Sequence, residues 1–148
     1  MHQYRQILVA IDFSEISEAA AEQAFDLAGH YGAELTFLHV IEHFPEHLPH
    51  YRMSGEGMDP QEFLIDRAGK DLDVICERLG GQDIARQVLV TTHSAKAAIL
   101  DFVREHGIDL IVLGARGRQS LADYLAGSTA TGVVRTSPCD VLTIRERK

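Results

Sequence analysis

Leu110-Ile111-Val112-Leu113-Gly114-Ala115-Arg116-Gly117 opens as an apolar run and closes on a pair of glycines. After nine further residues comes Gly127-Ser128-Thr129-Ala130-Thr131, so the stretch reads G-x-x-G-x9-G-S. The apolar run has the length and bulk of a strand buried on both faces. The pattern predicts a glycine turn at that strand's end and a second glycine, with hydroxyls, at a helix start. Such an arrangement suits a phosphate. Glycine lets backbone N–H groups approach an anion with no Cβ in the way. A helix N-terminus adds unpaired donors and a partial positive charge. A lone G-x-x-G is a weak signal; strand, turn and helix start in this order make a much more specific one.

Upstream, strand-like and helix-like segments alternate. Gln6 to Ile11 is a continuous apolar strand closed by Asp12-Phe13-Ser14. A helix follows from about Glu15 to Tyr31, with Ile16, Ala20, Ala24, Leu27, Ala28 and Tyr31 on one stripe. Ser14 can cap it, Glu15 and Glu18 suit its positive end, and Gly32 stops it. Leu35 to Ile41 is a second strand. Glu42 to Pro60, rich in His, Pro, Gly and Met, reads as a long surface loop. Its His43 and His47 have a metal-binding spacing only if helical, and Pro45 and Pro49 argue against that. His39 reads as a satisfied, half-buried strand histidine.

A second helix spans about Gln61 to Leu79, ended by Gly80-Gly81, and Val88 to Thr92 is a third strand. Ser94 caps a third helix that Gly107 stops. Asp109 to Leu113 is the fourth strand, a last helix runs from about Ser128 to Arg135, and Val141 to Ile144 is the final strand. This alternation predicts an α/β fold, a doubly wound parallel sheet with right-handed crossovers and helices on both faces. Ligands of such sheets bind at the carboxyl ends of the strands, where strand order reverses.

Composition fits one ordinary domain over residues 1–148, with 45% hydrophobic and 24% charged residues. No apolar run approaches the roughly 20 residues of a membrane span. Met1-His2-Gln3-Tyr4-Arg5 leads straight into a strand, which predicts a cytoplasmic chain without a signal peptide. A net charge of -8, with no long basic block, argues against non-specific nucleic-acid or anionic-membrane binding. Arg116 and Arg118 do gather where an anion would need them. Cys76 and Cys139 have neither zinc nor redox spacing and read as packed thiols.

Ile7-Leu8-Val9-Ala10-Ile11-Asp12-Phe13-Ser14, Ala33-Glu34-Leu35 with Leu38-His39-Val40, Asp109 to Gly114, and the G-x-x-G-x9-G-S pattern together resemble the universal stress proteins of the UspA superfamily. The last pattern resembles the branch that binds ATP. The resemblance covers essentially the whole chain. It implies a Rossmann-like, five-stranded sheet of order 3-2-1-4-5, with Asp12 and Gly114 flanking the switch point between strands one and four. It implies a nucleotide site of Ala10, Asp12, Val40, Gly114, Arg116, Gly117, Gly127, Ser128 and Thr129. Asp12 would meet the ribose, Gly114 would lie beside it, and the main chain of Val40 would meet the adenine edge. Gly117, Gly127, Ser128 and Thr129 would hold the phosphates, with Mg²⁺ or Mn²⁺ bridging phosphate oxygens rather than sitting among protein ligands. Thr129 stands where aliphatic residues are common in the family, Thr131 adds a hydroxyl, and Pro138-Cys139-Asp140 replaces a frequent Pro-Val.

The expected function is that of a cytoplasmic stress-response or regulatory protein that uses ATP, or another adenine nucleotide, as a ligand controlling conformation or assembly. A homodimer through the edge strand 141–144 and an unidentified protein partner are expected. A slow ATPase, a nucleotidyl or phosphoryl transferase, and a nucleotide-free interaction module are the other readings. Against an enzyme, the chain has no G-x-x-x-x-G-K-[ST], no S-G-G-x-D-S and no H-I-G-H. It also has no evident base beside the terminal phosphate, and no catalytic residue is assigned.

Overall fold

Three of the apolar runs become strands that bury residues on both faces, and the two edge runs pair beside them. The computed structural model describes residues 3–42, 59–115 and 128–145. Its elements are β1 (Gln6–Ala10), α1 (Glu15–Tyr31), β2 (Glu34–Glu42), α2 (Pro60–Leu79), β3 (Ala85–Thr91), α3 (Ala95–His106), β4 (Leu110–Ala115), α4 (Ser128–Thr136) and β5 (Asp140–Arg145). The strands form one parallel sheet of five in the order β3-β2-β1-β4-β5. This is the expected Rossmann-like α/β topology, with its reversal between β1 and β4.

Side-chain alternation divides the core. Ile7, Val9 and Phe37 point to the face covered by α1 and α2, where they meet Ala20, Ala24, Leu72 and Ile75. Leu8, Leu38 and Ile111 point to the other face, against Ile99, Leu100 and Phe102 of α3 and Val133 of α4. The helix caps follow the sequence signals. The Ser14 and Ser94 hydroxyls accept from the amides of Ser17 and Ala97, and Gly32, Gly80 and Gly107 end their helices in the left-handed conformation. The start of α2 is capped by Asp59 with Pro60 in its first turn.

Two strands differ from the sequence expectation by more than one residue at an end. β3 starts at Ala85, earlier than Val88, because Ala85, Arg86 and Gln87 pair with Thr36, Phe37 and Leu38. They lie on the open edge of the sheet and are exposed, so no apolar pattern marks them. β4 runs on through Gly114 and Ala115, which pair with Ile144 and Arg145. Gly114 is therefore a ladder residue, and not the turn glycine that the sequence pattern suggests.

The amino ends of the strands are tied by Asp109. Its carboxylate accepts from the amides of Arg5 (2.9 Å) and Gln6 (3.1 Å), while its own amide donates to the Gln6 carbonyl (3.0 Å). Nearby, the Tyr4 hydroxyl donates to Asp140 Oδ2 at 2.7 Å. That bond to a carboxylate, helped by burial, pushes the Tyr4 phenol up to about 12. The raised value means that the fold favours the protonated phenol. Its stabilising effect is complete below about pH 10 and is lost as pH rises through about 12. An ultraviolet absorbance titration of wild type minus Tyr4→Phe should show a phenol ionising near 12, and Asp140→Asn should move it down toward about 10. An ordinary midpoint in wild type would contradict the bond.

Candidate functional site

In a parallel sheet all carboxyl ends share one edge. The helices leaving β1 and β4 go to opposite faces, which opens a cleft at that edge. A cleft of about 270 Å³ lies there, walled by the ends of β1, β2 and β4 and by the starts of α1, α3 and α4. Five of the expected residues line it: Ala10, Asp12, Val40, Gly114 and Thr129. Ser128 is the first residue of α4. Arg116, Gly117, Gly127 and the loop segment 43–58 with its histidines lie outside the described residues. The cleft also takes in Ser14, Ser17, His39, Glu42, Ala95 and Ile99, which the sequence did not single out as site residues.

The turn from β1 into α1 is tightly specified. The Asp12 carboxylate accepts from the Ser14 amide at 2.9 Å and from the Ser14 hydroxyl. The Ser14 oxygen in turn accepts from the Ser17 amide, and the buried Ser17 hydroxyl donates to the Ser14 carbonyl at 2.9 Å. Asp12 thus supports the helix start while it lines the cleft. Between them Phe13 has φ of 66°, in the left-handed region. For a non-glycine residue this costs on the order of 1–2 kcal/mol.

Neighbouring contacts hold the strained residue in place. The Phe13 ring packs on the His39 ring at 4.6 Å. His39 Nδ1 lies 2.6 Å from the Ile11 carbonyl. A carbonyl only accepts, so Nδ1 carries the proton. The Ile11 amide donates to the Leu38 carbonyl at 2.8 Å, continuing the β1–β2 pairing past Ala10. His39 is a satisfied histidine, as expected, and it also supports the turn that carries Asp12.

Gly114 is needed for close approach. A Cβ there would lie 2.9 Å from both the carbonyl carbon and the oxygen of Ile16. No neighbour of that kind can yield without moving the first turn of α1. Gly114 therefore brings β4 and the start of α1 together at the cleft.

The described lining combines apolar walls (Leu38, Val40, Ile99) with the carboxylates Asp12 and Glu42, and it holds neither Lys nor Arg. A carboxylate accepts from hydroxyls, apolar walls suit a flat ring, and helix starts suit an anion. Among the described residues no three His, Cys, Asp or Glu side chains gather as a metal site. Cys139 packs against the core under α3 and α4, and burial pushes its thiol up, the opposite of an activated nucleophile. Among the described residues no helix is long and apolar enough to cross a membrane.

Known proteins place this cleft in context. The model of the universal stress protein family matches residues 3–145. Universal stress protein A homolog 2 of Coxiella burnetii is 31% identical over 98% of this chain and 97% of its own length. The structure of universal stress protein UspA from Lactobacillus plantarum superposes with a TM-score of 0.75 at 31% identity, covering 98% of this chain and 100% of that one. A universal stress protein solved in complex with cAMP superposes at 0.67 with 25% identity, covering 97% of this chain and 98% of that one.

Proposed function

The chain belongs to the universal stress protein family, and from that premise we propose that it is a cytoplasmic regulator whose cleft binds an adenine nucleotide, ATP above all. The observation that carries this is the convergence of Asp12, Val40, Gly114 and Thr129, distant in sequence, on one cleft at the reversal point of the sheet. The Asp12 carboxylate suits a ribose hydroxyl, and the main chain at Val40 suits an adenine edge. The start of α4, with Gly127 and Ser128 from the motif, suits phosphates. A related protein solved with cAMP supports the nucleotide class.

A divalent ion, Mg²⁺ or Mn²⁺, would ride on the phosphates and neutralise charge beside Asp12 and Glu42. In this reading nucleotide occupancy sets conformation or assembly, and the assembly is a homodimer. β5 is the outer strand beside β4, and its 141–144 segment, Val-Leu-Thr-Ile, is strongly β-forming. An open edge of this kind is satisfied by the same strand of a second copy about a two-fold axis.

Calorimetric titration with Mg-ATP should give saturable heat, and a thermal scan should show an upward shift, about 2.7 kcal/mol at a hundredfold excess over Kd. Light scattering on the same sample should return the mass of a dimer. Absence of heat and of any shift at millimolar nucleotide would refute the nucleotide site. A monomeric mass at micromolar protein would refute the β5 interface.

A further inference from the structure

Gly132 stands in the interior of α4, where glycine is the poorest residue apart from proline. Its missing side chain has a use. A Cβ at Gly132 would lie 2.5 Å from Cδ of Lys96. The stem of Lys96, in the first turn of α3, therefore fills the notch that the glycine leaves. Lys96 is half-buried, and among the described residues its ammonium has no carboxylate or hydrogen-bond partner.

The placement relates this lysine to the cleft. Gly132 follows Thr129 by three residues, so the two share one face of α4. Thr129 lines the cleft, and α3 reaches the same cleft through Ala95, the residue before Lys96. Helical side chains lean toward the N-terminus of their helix, which here is the cleft end. The described lining offers only the carboxylates Asp12 and Glu42 as charged groups, so a cation just beyond it would favour a multiply charged phosphate chain alongside the divalent ion.

We infer that Lys96 is such a cation. Its ammonium serves the phosphate chain of the bound nucleotide at the start of α4, and Gly132 is the notch that lets its stem lie there. The inference rests on the nucleotide reading above and deepens it. Lys96 sets the preference for a nucleotide with a phosphate chain over the bare nucleoside. An ammonium is a compact charge with three donors, suited to phosphate oxygens whose exact arrangement differs among ligands.

The test is calorimetry on Lys96→Met and Lys96→Arg against Mg-ATP and adenosine, with a thermal scan to show that each variant is folded. Lys96→Met should lose roughly tenfold or more in Mg-ATP affinity, the scale of one charge-assisted hydrogen bond. Its adenosine affinity should not change, and arginine should restore most of the loss. Gly132→Ala is the second variant. It improves helix propensity, yet by filling the notch it should weaken Mg-ATP binding and spare adenosine. Equal losses for both ligands, or none for Mg-ATP, would overturn the assignment. If wild type binds neither ligand, the nucleotide reading fails by itself, and inorganic pyrophosphate becomes the probe. Pyrophosphate binding that disappears in Lys96→Met would keep Lys96 as an anion site, and no pyrophosphate binding would overturn it too.

Discussion

Phe37→Ala should lower the stability of the fold by about 3–5 kcal/mol, toward the top of the range for emptied aromatic sites. Phe37 is fully buried in β2, paired with Val9 and Arg86 in the flanking strands and covered by α1 and α2. The buried cluster it belongs to holds the α1 alanines Ala20, Ala21 and Ala24 beside Leu72, Ile75 and Cys76 of α2. Alanine has no rotamer that could swing in and fill a hole. On the alanine side the cavity therefore persists, and its cost adds to the lost transfer free energy. The melting temperature should fall by roughly 10 °C on calorimetric scanning. Phe37→Leu keeps most of the volume and should lose less. Nucleotide affinity at a temperature where the variant is folded should be unchanged, because the β1–β2 pairing on either side of Phe37 remains. A loss below about 1 kcal/mol would mean that the alanine face can collapse onto the sheet, and would refute this packing account.

The same residues show what a sequence of this class reveals. Ile7-Leu8-Val9 and Leu110-Ile111-Val112 are buried on both faces, so their strands announce themselves as unbroken apolar runs. The alternation of runs and amphipathic stripes then fixes a parallel topology, and topology alone brings Asp12, Val40 and Gly114 to one edge. β3 begins too late in the sequence reading because an edge strand can begin in polar residues such as Arg86 and Gln87. Asp109 reads as the first residue of a strand, whereas its carboxylate ties β1 to β4 from a position just before β4. Phe13 gives no warning of its φ of 66°, since glycine or asparagine is the usual occupant of that region. The support that His39 lends to the Asp12 turn could not be read without that angle. The contributions of α3 to the cleft, Ala95 and Ile99, depend on where a crossover helix lands. No local pattern encodes that position.

Gly114→Val should damage fold and site together, and its contrast with Gly69→Ala isolates the cause. Even alanine at position 114 would put its Cβ 2.9 Å from the Ile16 carbonyl group. That neighbour is backbone in the first turn of α1, so it cannot step aside as a side chain can. Valine adds two methyl groups to the same clash. Overpacking of this kind costs about 1–3 kcal/mol or more. Relief requires α1 to move off β4, which displaces Ser14 and Ser17, the hydrogen bonds between them, and those that Ser14 donates to Asp12. Asp12 would then leave the position from which it lines the cleft, and Mg-ATP binding should be lost even in the folded fraction. Gly69 is also a glycine, in the interior of α2, but a Cβ there meets nothing within 4 Å. Gly69→Ala should therefore gain roughly 0.5–1 kcal/mol from helix propensity and leave binding untouched. Denaturant melts and Mg-ATP titrations of both variants make the comparison. A Gly114→Val protein that melts and binds as wild type would refute the close approach of β4 to α1. One that melts lower but binds normally would separate the strand–helix contact from the nucleotide site, and Gly114 would then be a packing residue alone.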